Sequence, residues 1–200
     1  MVAVITGDII QSRQKEASLW LTALKEVLNQ YGTNPKEWEI FRGDSFQLIV
    51  TPEQALHISF VIKSFLKSKD INVRMAIGIG EVEYQTDKVT ESNGTAFLNS
   101  GTCFDGLSKQ TLALQSPWQD WDITLNTMLQ LASLTMDKWT PKTAEVVLWK
   151  LQNPLMSQKE IAESLPKKRQ GNISEALKRG GYDELHQLLV YYQKTIVALC

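Results

Sequence analysis

Along the first half of the chain the spacing of apolar positions changes repeatedly, and each change marks an element. Val2, Val4 and Ile5 open a β-branched run, and Trp38 to Phe41 and Phe46 to Val50 form two more. The last two flank Arg42-Gly43-Asp44-Ser45, which reads as a hairpin turning on glycine. Between the first run and the hairpin, Ala17, Trp20, Leu21, Leu24, Val27, Leu28 and Tyr31 recur at helical spacing until Gly32 and Pro35 stop them. Thr51-Pro52-Glu53-Gln54 then predicts a helix with Thr51 as its cap and proline at its first position, running to Ser68.

Alternation returns in Ile71 to Gly80, with Val73, Met75, Ile77 and Ile79 on one face and Arg74, Ala76, Gly78 and Gly80 on the other. Glycine weakens a strand interior, so two on one face predict that a ligand, a packed helix or a partner subunit comes close to the backbone there. Gln85 to Gly94 is polar and irregular and reads as a mobile loop. The helix after it, Gly94 to Lys109, sets Phe97, Gly101, Phe104 and Leu107 or Ser108 on one side. An interior helix glycine costs about 1 kcal/mol against alanine, so Gly101 is expected to permit close packing. With Thr111 to Leu114 as a last strand, the order predicts an α+β layer, its helices on one face of a mainly antiparallel sheet.

Ser116-Pro117 breaks this pattern, and no strand signal follows, which places a domain boundary between 1–116 and 117–200. Leu125, Met128, Leu129, Ala132, Met136 and Trp139 form the stripe of a connecting helix that could also pair with another subunit. Thr140-Pro141 starts a second helix, with Ala144, Val147, Leu148 and Leu151 inward. Ser157-Gln158-Lys159-Glu160 is a capping box for a third, and Gln170 to Arg179 reads as a fourth that ends at Gly180-Gly181. Asp183 is the expected cap of a last long helix.

Composition narrows the class. At 200 residues and 43% hydrophobic, the chain suits one large or two small globular domains. No apolar run approaches the roughly 18 residues of a membrane span, and no signal pattern precedes the first strand, so a cytoplasmic protein is expected. Cys103 and Cys200 have no metal-ligand spacing, and His57 and His186 stand alone. The formal net charge of -1 hides an asymmetry: Ser157 to Gly181 holds six cationic residues against three acidic ones.

Candidate chemistry begins with two Gly-Asp pairs. Gly7-Asp8 closes the first strand and Gly43-Asp44 sits in the hairpin, so two carboxylates are expected at neighbouring strand ends. Carboxylates brought close repel unless a cation sits between them, and an all-oxygen site suits Mg2+. Either pair alone is also what an ordinary turn uses.

ITGDIIQSR, FRGDSFQLIV, VRMAIGIGEV and NGTAFLNSGTCFDGL resemble the SatD family of bacterial proteins, whose function is poorly defined. The first half is similar, more distantly, to the class III nucleotidyl cyclase domain, of ferredoxin-like fold. That resemblance implies Asp8 and Asp44 as metal ligands with the Ile9 carbonyl as a third. It implies Gly7, Gly43, Ser45, Arg74 and Gly78 as residues around a nucleotide. Two ions held in this way would polarise a phosphoryl oxygen and the attacking hydroxyl. The chain departs from the cyclase pattern at Ile40, where cyclases place a purine-selecting lysine. It departs again at Leu98 and Thr102, where they place the asparagine and arginine that stabilise the transition state. The metal and phosphate half of a site is retained and the other half is absent.

MSQKEIAESLPKKRQGNISEALKRGG is similar to the helix-turn-helix of many bacterial regulators, over about 157–181. Small Ala162 lets two helices cross, and Ile161, Leu165, Ile173 and Leu177 fix their angle, so the second helix can enter a major groove. Gln170, Asn172, Ser174 and Lys178 are then expected near base edges or sugars, and Lys167, Lys168, Arg169 and Arg179 at phosphates. The whole reads as a homodimeric DNA-binding transcriptional regulator with a nucleotide- or metal-phosphate-sensing domain. The alternative is a two-metal phosphotransferase or cyclase with a helical partner-binding tail.

Overall fold

The computed structural model describes residues 1–165 and 170–200, Gln170 by its backbone alone. Strands β1 (Val2–Ile9), β2 (Trp38–Phe41), β3 (Ser45–Val50), β4 (Val73–Gly80) and β5 (Leu112–Gln115) form one sheet in the order β2-β3-β1-β4-β5. Pairings among the first four strands are antiparallel, and β5 joins β4 in parallel. Helices α1 (Ala17–Leu28), α2 (Pro52–Ser68) and α3 (Thr95–Asp105) are interleaved with the strands. After β5 come α4 (Gln119–Met136), α5 (Pro141–Gln152), α6 (Gln158–Ser164), α7 (Gln170–Gly180) and α8 (Tyr182–Leu199). The architecture is α+β, with a mixed sheet.

Alternation along β1 sorts the two faces of the sheet. Ala3, Ile5 and Ile9 join the main core with α1 and α2, whereas Val4 packs against Ala96 and Phe97 of α3. Helices therefore cover both faces, not one as the pattern predicted, and β4 explains why. A Cβ on Gly78 would lie 2.1 Å from the Ser100 nitrogen, and one on Gly80 would lie 2.5 Å from the Ala96 nitrogen. What comes close to the bare face of β4 is a packed helix. It presents small side chains in turn: Ala96 and Ser100 are fully buried, and the Ser100 and Thr6 hydroxyls lie 3.0 Å apart. Gly101 has no such role, since a Cβ built there meets nothing within 4 Å.

Helix α2 is enclosed on two sides, by the sheet with α1 and by α5 with α8. That is why twelve of its 17 residues are buried and why it is apolar almost all round. One continuous core runs from β1 through α2 to α8, and the buried Tyr192 hydroxyl of α8 donates to the Pro52 carbonyl at 2.6 Å. β5 is a sheet edge, and α4 covers it with a side chain that imitates a strand. Asn126 accepts from the Leu114 N–H and donates to the Leu114 carbonyl, both at 2.8 Å.

Local starts and stops differ from expectation in three places. Thr51 makes no side-chain cap, although Pro52 does begin α2. Gly181, at φ 66°, delivers the chain into α8 at Tyr182, so Asp183 lies inside the first turn instead of capping it. The 85–94 segment, read as a mobile loop, is pinned by Val89, which is 1% exposed, and by a Tyr84–Asn93 bridge. The Thr140 cap of α5 and the Ser157–Glu160 capping box of α6 are both formed. Among the described residues no helix is long and apolar enough to cross a membrane.

Candidate functional site

Two backbone ladders converge on one residue. Asp8 stands opposite Ser45 of β3 and opposite Arg74 of β4, and the Ile9 N–H donates to the Asp44 carbonyl at 3.3 Å. The tight turn before β3, with Arg42 and Gly43 at φ 50° and 95°, holds Asp44 at the same end of the sheet. The two aspartates predicted to lie at neighbouring strand ends do lie there.

Arg74 donates from Nε and Nη2 to the two carboxylate oxygens of Asp8, each at 2.8 Å. A bidentate pair of this kind is both strong and directional. Its guanidinium carbon also lies 4.9 Å from the centre of the Phe104 ring. The hydrogen bonds to Asp8 raise the Arg74 pKa against the opposing effect of burial, and the charges of Asp8, Asp44 and Asp105 add to the rise. Ser12 donates to the second carboxylate, Asp44.

A cleft of about 530 Å3 opens here, lined by Asp8, Ile9, Asp44 and Arg74 together with segments 10–14 and 108–111. Those segments add Arg13 and Lys109, so three cations face two carboxylates. Ser12, Arg13 and Lys109 had no role in the sequence reading. The first two follow Asp8 so closely that the end of β1 alone could have pointed to them. Lys109 arrives through the turn after α3 and carries no local signal.

Other expected ligand residues lie elsewhere or act through packing. Ile9 has a 2% exposed side chain in the core, so only its backbone can offer a donor. A Cβ on Gly7 would meet the Phe46 ring at 2.7 Å and the Arg74 carbonyl at 2.9 Å, so this glycine serves strand packing. Gly43 shapes the turn and Ser45 pairs with Asp8, but neither lines the cleft, and Gly78 lies beneath α3. At the positions of departure from cyclases, Ile40 pairs with Phe46 within the sheet, and Leu98 and Thr102 are exposed on α3.

The donor set fits a hard cation in kind: two carboxylates and one backbone segment, all oxygen. Both Asp8 oxygens are engaged by Arg74, and each keeps a second lone pair. Among the described residues no group of three or more His, Cys, Asp or Glu side chains gathers, so any cation here would be held in part by what it brings with it.

Next to the cleft lies a buried ionic network that the sequence reading missed. Lys63, 5% exposed, donates to the Thr111 hydroxyl at 2.9 Å and pairs with Asp137 at 2.7 Å, while Thr111 donates to Asp137 at 2.8 Å. Burial lowers the Lys63 pKa, and Asp137 opposes that shift. A lone lysine in the buried run Ile62-Lys63-Ser64-Phe65 was the available signal. Thr111 lines the cleft, and Asp137 ends α4. Two residues further on, the buried Trp139 indole donates to the Gly180 carbonyl at the end of α7, 3.0 Å away.

In the helical half, α6 and α7 pack together as the helix-pair pattern requires, with Ile161, Leu165, Ile173 and Leu177 buried and Ala162 half-buried. The Ser157 N–H donates to the Glu160 carboxylate at 2.7 Å, and the Ser157 hydroxyl accepts from the Glu160 N–H. Hydrogen bonding of the Ser157 side chain, and then of its backbone, to the carboxylate lowers the Glu160 pKa. Asn172, Ser174, Lys178 and Arg179 are exposed on α7. At 100° per residue, Asn172 and Ser174 fall on opposite flanks, and Asn172 shares its flank with Arg179. Lys167, Lys168 and Arg169 lie outside the described residues, as does the side chain of Gln170.

The family model described as the SatD family matches residues 1–183, which takes in both the cleft and the helix pair. No curated protein matches the chain.

Proposed function

The chain belongs to the SatD family, and from the cleft and helix pair it carries we propose that it is a DNA-binding regulator whose sheet half senses a nucleotide or similar metal-phosphate ligand. The observation that carries this reading is the convergence of Asp8, Asp44 and Arg74 on one cleft that also receives Arg13 and Lys109. Carboxylates of this kind suit Mg2+, and guanidinium and ammonium groups suit the phosphates it would accompany. The alternating antiparallel order β2-β3-β1-β4 supports a ferredoxin-like, cyclase-related ancestry for this half.

Sensing is preferred to catalysis because the groups that would stabilise a transition state are missing. Leu98 and Thr102 offer no charge, and losing an arginine of this type removes on the order of three or more decades of phosphoryl-transfer rate. The helix pair α6–α7 supports the output, with a built cap, a buried apolar contact through Ile161, Leu165, Ile173 and Leu177, and exposed Ser174 and Lys178. A homodimer would present two such pairs to paired half-sites, and exposed Ile123, Leu131 and Leu134 along α4 supply an apolar stripe for it.

Calorimetry of wild type and Asp44→Ala against ATP and GTP with Mg2+ tests the sensor. Binding that disappears in the variant is expected; no heat with either nucleotide would overturn it. Steady turnover of the nucleotide by wild type, lost in Asp8→Ala, would replace the sensor with the phosphotransferase.

A further inference from the structure

A second cavity, of about 930 Å3, runs between the end of α4, the start of α5 and one flank of α7. Lys138, Lys142 and Arg179 line it, Asn172 and Thr140 add polar groups, and among the described residues no acidic side chain lines it. Its cations come from the turn between α4 and α5 and from two helices, α5 and α7, so no single helical face accounts for them. The start of α5 adds a partial positive charge, with Pro141 at its first position and Thr140 using its hydroxyl to accept from the Thr143 N–H. The nearest acid in sequence, Asp137, is turned away into the Lys63 and Thr111 network.

The trough is open and its lysines are exposed, which suits a chain of phosphates lying along it better than a small anion enclosed in it. It is also continuous with α7, the helix assigned to DNA in the reading above, because Asn172 and Arg179 belong to both. We propose that Lys138, Lys142 and Arg179 bind backbone phosphates of duplex DNA, so that the elbow between α4 and α5 is part of the DNA interface. Phosphate contacts of this kind position a protein without reading sequence. This inference rests on the DNA-binding reading and extends it to an elbow outside the helix pair.

The test is fluorescence anisotropy with a labelled duplex of about 24 base pairs and arbitrary sequence, titrated at several salt concentrations, which reads counter-ion release. The wild type is compared with Lys138→Gln/Lys142→Gln and with Lys25→Gln/Lys36→Gln, a control of equal charge change at exposed positions of the sheet half. Each lost phosphate contact lowers the slope of log K against log salt by about 0.9, so the elbow variant is expected to lose about 1.8 and the control nothing. Equal slopes for wild type and elbow variant would overturn the inference while leaving DNA binding in place. Equal losses in both variants would reduce it to net charge. A wild type that does not bind the duplex at low salt would overturn the DNA reading itself.

Discussion

The cleft at the strand ends and the groove at the α4–α5 elbow both collect charged side chains, but they are built in opposite ways. In the cleft, Asp8 and Arg74 face each other because the β1–β4 register puts them there, and their charges cancel through two 2.8 Å hydrogen bonds. In the groove, Lys138, Lys142 and Arg179 carry one sign and stand at exposed positions of the α4–α5 turn, α5 and α7. The first arrangement suits a ligand with one orientation; the second suits a polyanion that need only pass by. Tolerance to substitution should differ accordingly.

The largest effect is expected where register and packing are tightest. Gly78→Ala would drive a Cβ against the backbone of Ser100 and Ala96, atoms that cannot turn aside, and is expected to cost about 3 kcal/mol or more. Urea denaturation should show it, and a midpoint within error of wild type would mean that α3 rides loosely on β4.

At the seam between the two regions the expected effect is smaller and asymmetric. Asp137→Asn strands the buried Lys63 cation and should cost about 2 kcal/mol, whereas Lys63→Met leaves only a half-exposed carboxylate and should cost less than about 1 kcal/mol. Burial lowers the Lys63 pKa in the fold, so the unfolded chain binds the extra proton as pH rises between the folded value and 10.5. Stability should therefore climb with pH across that window, and more steeply in Asp137→Asn. Chemical melts of the two variants at several alkaline pH values would check both statements; equal costs would refute the asymmetry.

Gly101→Ala, in the same helix that Gly78 supports, is expected to gain about 0.5–1 kcal/mol, since a Cβ there meets nothing within 4 Å. A loss of stability in thermal melts would contradict the open surroundings of that position. The smallest effect is kinetic. Burial pushes the Cys103 thiol up to about 12, so roughly one molecule in ten thousand carries the thiolate at pH 8. Iodoacetamide followed by peptide mass analysis should modify exposed Cys200 first, and Cys103 about tenfold faster for each added pH unit.

Much of the sheet half was readable in the order of residues. Alternation in Val73 to Gly80 located β4, and its bare face announced a close neighbour, which is α3. The reading failed where two elements share one small-residue contact: Gly101 was expected to make it, but the strand glycines do, and nothing local distinguishes the two. Asp8 and Asp44 were found through their Gly-Asp pairs at strand ends. Arg74 was placed at the ligand on resemblance, and its pairing with Asp8 follows from a β1–β4 register that depends on residues 66 positions apart. The Lys63–Asp137 pair and the α4–α5 groove join distant segments by packing alone, and periodicity along one segment carries no information about them.

The Asp8–Arg74 pair has one further consequence, for the order in which a ligand could be accepted. An arriving cation must compete with a guanidinium that already holds both Asp8 oxygens, and a free phosphate must draw Arg74 away from a full counter-charge. On the sensing function proposed above, the two arriving together would each remove the obstacle to the other: the cation would take over the carboxylate, and the released arginine would turn to the phosphate. The pair would then act as a coincidence gate, closed to either ion alone and open to both at once.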